Sequence, residues 1–201
     1  MIAIIDYGLG NVKAIKTALD ILNVKSVITS NYEDIENCNK IILPGVGTFD
    51  NAMKKIQKNN LDSFLINKIK DSKVKLLGIC IGMQILSKKS EEGICKGLGL
   101  VEGEIIKFKY QNNKKIPHLG WNFIYDNKNI KLFDGINDPK YYFLHSYHFI
   151  GTNDDTRISI SKFGNSEFIA AINYKNIYGV QFHPEKSHHY GLKLLKNFAS
   201  L

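Results

Sequence analysis

The chain has 201 residues, 44% of them hydrophobic, which suffices for one full core and predicts a single domain over 1–201 with little room for a second catalytic one. Its 27 basic and 19 acidic residues give a net charge of +8, yet Arg157 is the only arginine, so the bidentate chemistry of nucleic-acid readers is nearly absent and no nucleic-acid partner is expected. Cys38, Cys80 and Cys95 form no C-x-x-C pair, which argues against a disulfide framework or structural zinc, and no apolar run nears the roughly 18 residues of a membrane span, so a cytoplasmic, membrane-free protein is expected.

In chain order, IAIID reads as a buried strand, followed by a helix carrying Val12, Ile15, Leu19 and Leu22 on one face. KSVITS is a second strand, and a short polar connection leads to a third in KIILPGVG. Residues 49–72 read as helical with a break at Asn59-Asn60, and KLLGI is the buried strand before Cys80. Apolar runs separated by amphipathic helices predict βαβ units and a parallel sheet.

From about residue 97 the texture changes. GLGLVEGEIIKFKY, IPHLGWNFIY, YYFLHSYHFIG, RISISKF, FIAAINY and IYGVQFHPE read as strands joined by Asn, Asp and Gly turns, an added antiparallel portion in the C-terminal half. The last stretch predicts a helix with Leu192, Leu195 and Ala199 along one stripe and Leu194 and Phe198 beside it.

The chemistry concentrates in three places. GICIG, residues 78–82, is the thiol counterpart of the G-x-S-x-G elbow, in which glycines let the backbone crowd into a strand-to-helix turn that exposes the central side chain. A cysteine at a helix N-terminus meets free N–H groups and the positive end of the helix dipole, which favour thiolate, and the Ile81 amide would face an oxyanion formed there. Alone, such a cysteine is more often a small buried hydrophobe. ILPGVG, residues 42–47, ends a strand in a loop at the sheet edge where α/β proteins bind ligands. VQFHPEKS, residues 180–187, places His183 and Glu185 two apart on an extended segment, so both point the same way as base and orienter.

As a set, GICIGMQ, PGVG and QFHPEKS resemble the class I, triad-type glutamine amidotransferases. Within that family DYGLGN (6–11), LPGVGTF (43–49), PHLGWN (117–122) and LHSYH (144–148) are similar to the glutaminase subunits of imidazole glycerol phosphate synthases, in order and over essentially the entire chain. Glutaminases of the anthranilate-synthase type usually carry His where Met83 stands, and those of pyridoxal-phosphate synthase carry Gly-Gly-Glu-Ser where this chain has PGVG.

The resemblance implies an α/β fold with an open, mostly parallel, flavodoxin-like sheet flanked by helices. It implies that Cys80 attacks the side-chain amide of L-glutamine, that His183, supported by Glu185, shuttles the proton to departing ammonia, and that water hydrolyses the glutamyl thioester. Amides of Val46 and Ile81 would form the oxyanion hole, and Gly47, Gln84, Glu92, Ser146 and Tyr147 would surround glutamine, with Glu91 an equal candidate to Glu92 by chemistry alone. The implied partner is a (βα)8-barrel cyclase subunit that receives the ammonia in a heterodimer, facing Asn11, Trp121 and Lys186, with the PGVG loop held misoriented until that partner and its ligand bind. No cofactor or metal is implied. His183-Pro184-Glu185 superficially matches the H-x-E of zinc deaminases, but the P-C-x-x-C those enzymes need is missing. Three alternatives share the fold: a paralogue feeding ammonia to another synthase, such as one that amidinates a sugar, a freestanding hydrolase of γ-glutamyl substrates, and a catalytically silent regulatory binder, against which the intact Cys80, His183 and Glu185 set speaks.

Overall fold

The computed structural model describes residues 1–109, 115–125 and 129–201. Its parallel core grows from apolar runs that are covered on both faces and so need no polar alternation. These are β1 (Ile2–Ile5), β2 (Ser26–Thr29), β3 (Lys40–Gly45) and β4 (Lys75–Cys80), joined by β12 (Ile177–Val180) from the far end of the chain. In β1 all four residues are buried, and in β3 and β4 all but the leading lysine.

Amphipathic helices cover this sheet, each through one stripe. α1 (Val12–Ile21) buries Ile15, Ala18 and Leu19, α3 (Phe49–Gln57) buries Phe49, Ala52, Met53 and Ile56, and α4 (Leu61–Ile69) buries Leu61, Leu65 and Ile69. A 3₁₀ turn over Lys58–Asn60, with Asn60 at φ +57°, makes the break between the last two. The polar connection before β3 contains a helix, α2 (Tyr32–Glu36), which is too short to show a period. The Asn31 side chain accepts from Glu33 N–H at its start, and Glu33 and Asp34 occupy its first turn. In α6 (His188–Ser200) the buried stripe is Gly191, Leu194, Leu195 and Phe198, whereas Leu192 and Ala199 flank it half-buried. The predicted stripe was therefore centred one residue off, because Gly191 fits against the Pro184 carbonyl, 1.8 Å from where a Cβ would stand.

The remaining elements are α5 (Ile81–Gln84), β5 (Lys89–Ser90), β6 (Glu104–Lys107), β7 (His118–Phe123), β8 (Lys140–His145), β9 (Tyr147–Ile150), β10 (Arg157–Phe163) and β11 (Ser166–Tyr174). The large sheet runs β2-β1-β3-β4-β12-β11-β9-β6-β5, with β10 on β11. It is parallel from β2 to β12 and antiparallel from β12 through β11 and β9 to β6. β7 and β8 form a separate antiparallel ribbon. The first expected strand of this half is extended only over Glu104–Lys107, and its last residue, Tyr110, lies outside the described residues. The run 141–151 splits at Ser146, sending β8 to the ribbon and β9 to the large sheet. No helix among the described residues is long and apolar enough to cross a membrane.

Register brings the motifs together. Gly45 pairs with Cys80 and Val180 with Ile79, so the carboxyl ends of β3, β4 and β12 lie side by side. There β4 turns into α5 across the face of β3. A Cβ on Gly82 would stand 1.8 Å from the Leu43 carbonyl oxygen, and one on Gly78 would stand 2.6 Å from the Gly82 oxygen. This approach forces Cys80 to φ +56°, ψ −113°, a conformation that costs a non-glycine residue about 1–3 kcal/mol. Gly82→Ala is expected to destabilise the protein by about 1–3 kcal/mol, since the obstacle is backbone. The check is a lower urea midpoint at unchanged slope, and an unchanged midpoint would show that the contact is not limiting.

Candidate active site

Cys80 is buried at the strand-to-helix turn and is hydrogen-bonded to the His183 side chain. His183 Nδ1 lies 2.9 Å from Glu185 Oε1, with side-chain exposures of 4% and 2%, which leaves the other ring nitrogen for the sulfur. The local backbone differs from the extended segment expected from sequence. β12 stops at Val180, His183 is extended at φ −103°, and Pro184–Lys186 is a 3₁₀ turn that folds the Glu185 carboxylate back onto the ring. His183 N–H donates to Tyr142 C=O (2.9 Å), while the buried Ser187 hydroxyl donates to His183 C=O (2.6 Å) and accepts from Tyr142 N–H (3.0 Å). These bonds fix the imidazole from behind.

Burial by itself would depress the His183 imidazolium. The charge of Cys80, the hydrogen bond to it, and then the hydrogen bond and charge of Glu185 outweigh burial and push His183 up to about 10. α5 is a single turn, so it offers the sulfur nearby N–H groups and little of the dipole that a long helix would supply.

A cavity of about 280 Å³ opens on the sulfur. It is at the small end of ligand sites, near the roughly 300 Å³ lower bound, and suits an amino acid. Larger depressions, of about 730 Å³ beside Phe133–Pro139 and about 590 Å³ beside Ile66–Lys75, contain neither cysteine nor histidine, so size does not select the site. Val46, Gly47, Ile81, Gln84, Glu92, Ser146 and Tyr147 all line the cavity.

The two adjacent glutamates separate. Glu92 faces the cavity, accepting from Phe49 N–H (2.7 Å) at the start of α3, and burial pushes its carboxyl up, opposed by that hydrogen bond. Glu91 turns to Lys107 N–H (2.8 Å) instead. Asp50 completes a clasp by accepting from Ile94 and Cys95 N–H (3.2 and 3.0 Å).

A buried polar network that sequence reading missed lies behind the cradle. The Tyr147 carbonyl accepts from Gln84 Nε2 (3.1 Å) and from His145 Nδ1 (2.7 Å). Gln84 Nε2 also donates to Gln181 Oε1 (2.9 Å), and Gln181 Nε2 reaches Cys80 Sγ (3.8 Å). His145 Nε2 lies 3.1 Å from His118 Nδ1, and burial holds His145 well below the usual histidine range. The signal for Gln181 was available, because it is a polar residue inside an apolar run, two before His183.

The three residues expected to face a partner lie apart from one another in role. Asn11 caps α1, its side chain accepting from Ala14 N–H (3.4 Å). Trp121 is 40% exposed and stacks on His188 at 5.2 Å, on a face shared with the exposed Leu119, Phe123 and Leu144, so it is not core. Lys186 lines the cavity with its ammonium 5.7 Å from the Tyr142 ring.

The model of the class I glutamine amidotransferases matches residues 3–200. The chain belongs to that family. Among curated relatives of this glutamine amidotransferase, "Imidazole glycerol phosphate synthase subunit HisH 2" of Methanococcus maripaludis is 45% identical, with 98% of each chain covered. Subunits named HisH from Leptospira interrogans and Methanocaldococcus jannaschii are 42% and 46% identical, with both chains covered completely. Solved glutamine amidotransferase structures share the fold. One superposes with a TM-score of 0.77 at 16% identity, covering 100% of this chain and 99% of the other, and one from Thermotoga maritima with 0.64 at 16%, covering 99% and 82%.

The order of the influences on His183 yields a test by imidazole NMR titration. Glu185→Gln should lower its midpoint from about 10, and Cys80→Ala should lower it further, because burial is then opposed by Glu185 alone. A midpoint that stays near 10 in Cys80→Ala would contradict the pairing.

Proposed function

We propose that this chain is the glutaminase subunit of an imidazole glycerol phosphate synthase, hydrolysing L-glutamine to glutamate and ammonia for histidine biosynthesis. The observation that carries the reading is the convergence of Cys80 and His183 on one amino-acid-sized cavity, with Glu185 bonded to the imidazole from behind. Full-length identity of 42–46% to chains named as that subunit supports it.

The Cys80 thiolate adds to the side-chain amide carbon, and the carbonyl electrons move to oxygen beside the Ile81 and Val46 amides. The elevated His183 retains a proton at neutral pH and delivers it to the amide nitrogen, so the C–N bond breaks and ammonia leaves a glutamyl thioester. His183, now neutral, takes a proton from water as the hydroxyl attacks the thioester. Collapse frees glutamate and restores the thiolate–imidazolium pair. Glu92 binds the α-ammonium group, the unpartnered buried Gln84 Oε1 supplies a further acceptor, and Gly47, Ser146 and Tyr147 complete the cradle.

Ammonia passes to a (βα)8-barrel cyclase subunit, which joins it to a phosphorylated ribonucleotide intermediate and releases imidazole glycerol phosphate and AICAR. The partner seats near Asn11, Trp121 and Lys186, where the ribbon exposes Leu119 to 61%. A reconstituted complex tests the assignment. Cys80→Ala should abolish product formation from glutamine, by at least about 10³-fold, and leave formation from ammonium salts intact. Retained glutamine-dependent turnover would remove Cys80 as nucleophile. The isolated chain should hydrolyse glutamine slowly and accelerate at least about tenfold when cyclase and its nucleotide are added, a coupling of about 1.4 kcal/mol or more. Full turnover by the chain alone would remove the dependence on a partner and leave the triad unaffected.

A further inference from the structure

We propose that Gln181 is a further catalytic residue, whose side-chain amide donates a hydrogen bond to the Cys80 sulfur and stabilises the thiolate. The inference rests on Cys80 being the nucleophile, and it follows from the order in which donors and acceptors are assigned. A backbone carbonyl only accepts, so the Gln84 atom 3.1 Å from the Tyr147 oxygen is its NH₂. The second hydrogen of that NH₂ goes to the Gln181 atom 2.9 Å away, which must therefore be Oε1. Gln181 has only its own NH₂ left, and that group lies 3.8 Å from Sγ.

One main-chain oxygen thus sets the polarity of two buried amides and of the last link to sulfur. Its orientation is held from the other side by His145. The His145 Nδ1 must carry the proton to donate to the same oxygen, and the neutral ring then accepts at Nε2 from His118 Nδ1. Reversing Gln84 would set its oxygen against the Tyr147 carbonyl, acceptor against acceptor, and reversing Gln181 would set its NH₂ against that of Gln84, donor against donor, so neither amide can turn over without a buried mismatch.

The sulfur needs this bond. Its other side-chain and carbonyl contacts include His183 and the Leu144 carbonyl, 3.9 Å away. That carbonyl accepts from a thiol and repels a thiolate. Gln181, with no exposed surface, is a neutral donor that favours the charged form without adding a proton to the site.

The test is the pH dependence of Cys80 alkylation by iodoacetamide in the full chain, followed by mass spectrometry of the Cys80 peptide. Gln181→Met removes the donor at nearly equal volume. Gln181→Glu keeps an acceptor for Gln84, which guards against loss of the fold, and when ionised puts a charge that opposes the thiolate in place of the donor. Both should move the alkylation midpoint about one unit higher, seen as about tenfold slower reaction below the wild-type midpoint. A wild-type profile unmoved in both folded variants overturns the role of Gln181 while leaving the nucleophile in place. Wild-type Cys80 reacting no faster than buried Cys38 at any pH overturns the nucleophile reading, and this inference with it.

Discussion

The contact between Gly82 and the Leu43 carbonyl sets the geometry from which the rest of the site follows. With no side chain between them, α5 begins directly across the end of β3, and the chain can make that turn only by swinging Cys80 into a positive φ. The sulfur then projects beyond the carboxyl edge of the parallel strands. Gly45 extends the same logic, since a Cβ there would stand 2.7 Å from Gly82 N and 2.9 Å from the Tyr7 hydroxyl. That hydroxyl donates to Pro44 C=O (2.7 Å), anchoring the loop that precedes α3. Local backbone cost at one residue is offset by a continuous buried sheet, in which β3 and β4 pair from Lys40–Lys75 to Gly45–Cys80.

Two buried histidines beside this elbow are driven in opposite directions by their neighbours. His183 faces a sulfur and a carboxylate and is held cationic. His145 faces a carbonyl and a second imidazole, so burial prevails and it stays neutral. The difference leaves one ring carrying a proton and the other neutral, orienting the Tyr147 carbonyl. The network also leaves loose ends, because Gln84 Oε1 and Glu185 Oε2 are buried without a partner. The first belongs to the cavity wall.

Much of this was legible in the sequence because it rests on short-range chemistry. Glycines flanking Cys80 marked the turn, uninterrupted apolar runs marked parallel strands, and QFHPE marked the imidazole and the carboxylate paired with it. What the sequence concealed depends on distant pairing. The split of YYFLHSYHFIG at Ser146 follows from β8 and β9 finding different partners. Glu91 and Glu92 are chemically alike and are distinguished by Lys107 and Phe49, which lie far from them along the chain. Gln181 stands out as a polar residue in an apolar run, but its orientation is set by Gln84, 97 residues away. α2 escaped notice because five residues are too few for a helical period to register.

Cys80 and His183 stand at the carboxyl ends of adjacent parallel strands, β4 and β12, and the second has a further support. Cys80 ends a central strand of the ten-stranded sheet, whereas His183 is tied through Tyr142 and Ser187 to the two-stranded ribbon. Among the described residues, Tyr125, just beyond β7, forms an isolated bridge with Ile160 of β10. The imidazole thus answers to two supports, the sheet through β12 and the ribbon through Tyr142, whereas the sulfur answers to the sheet through β4.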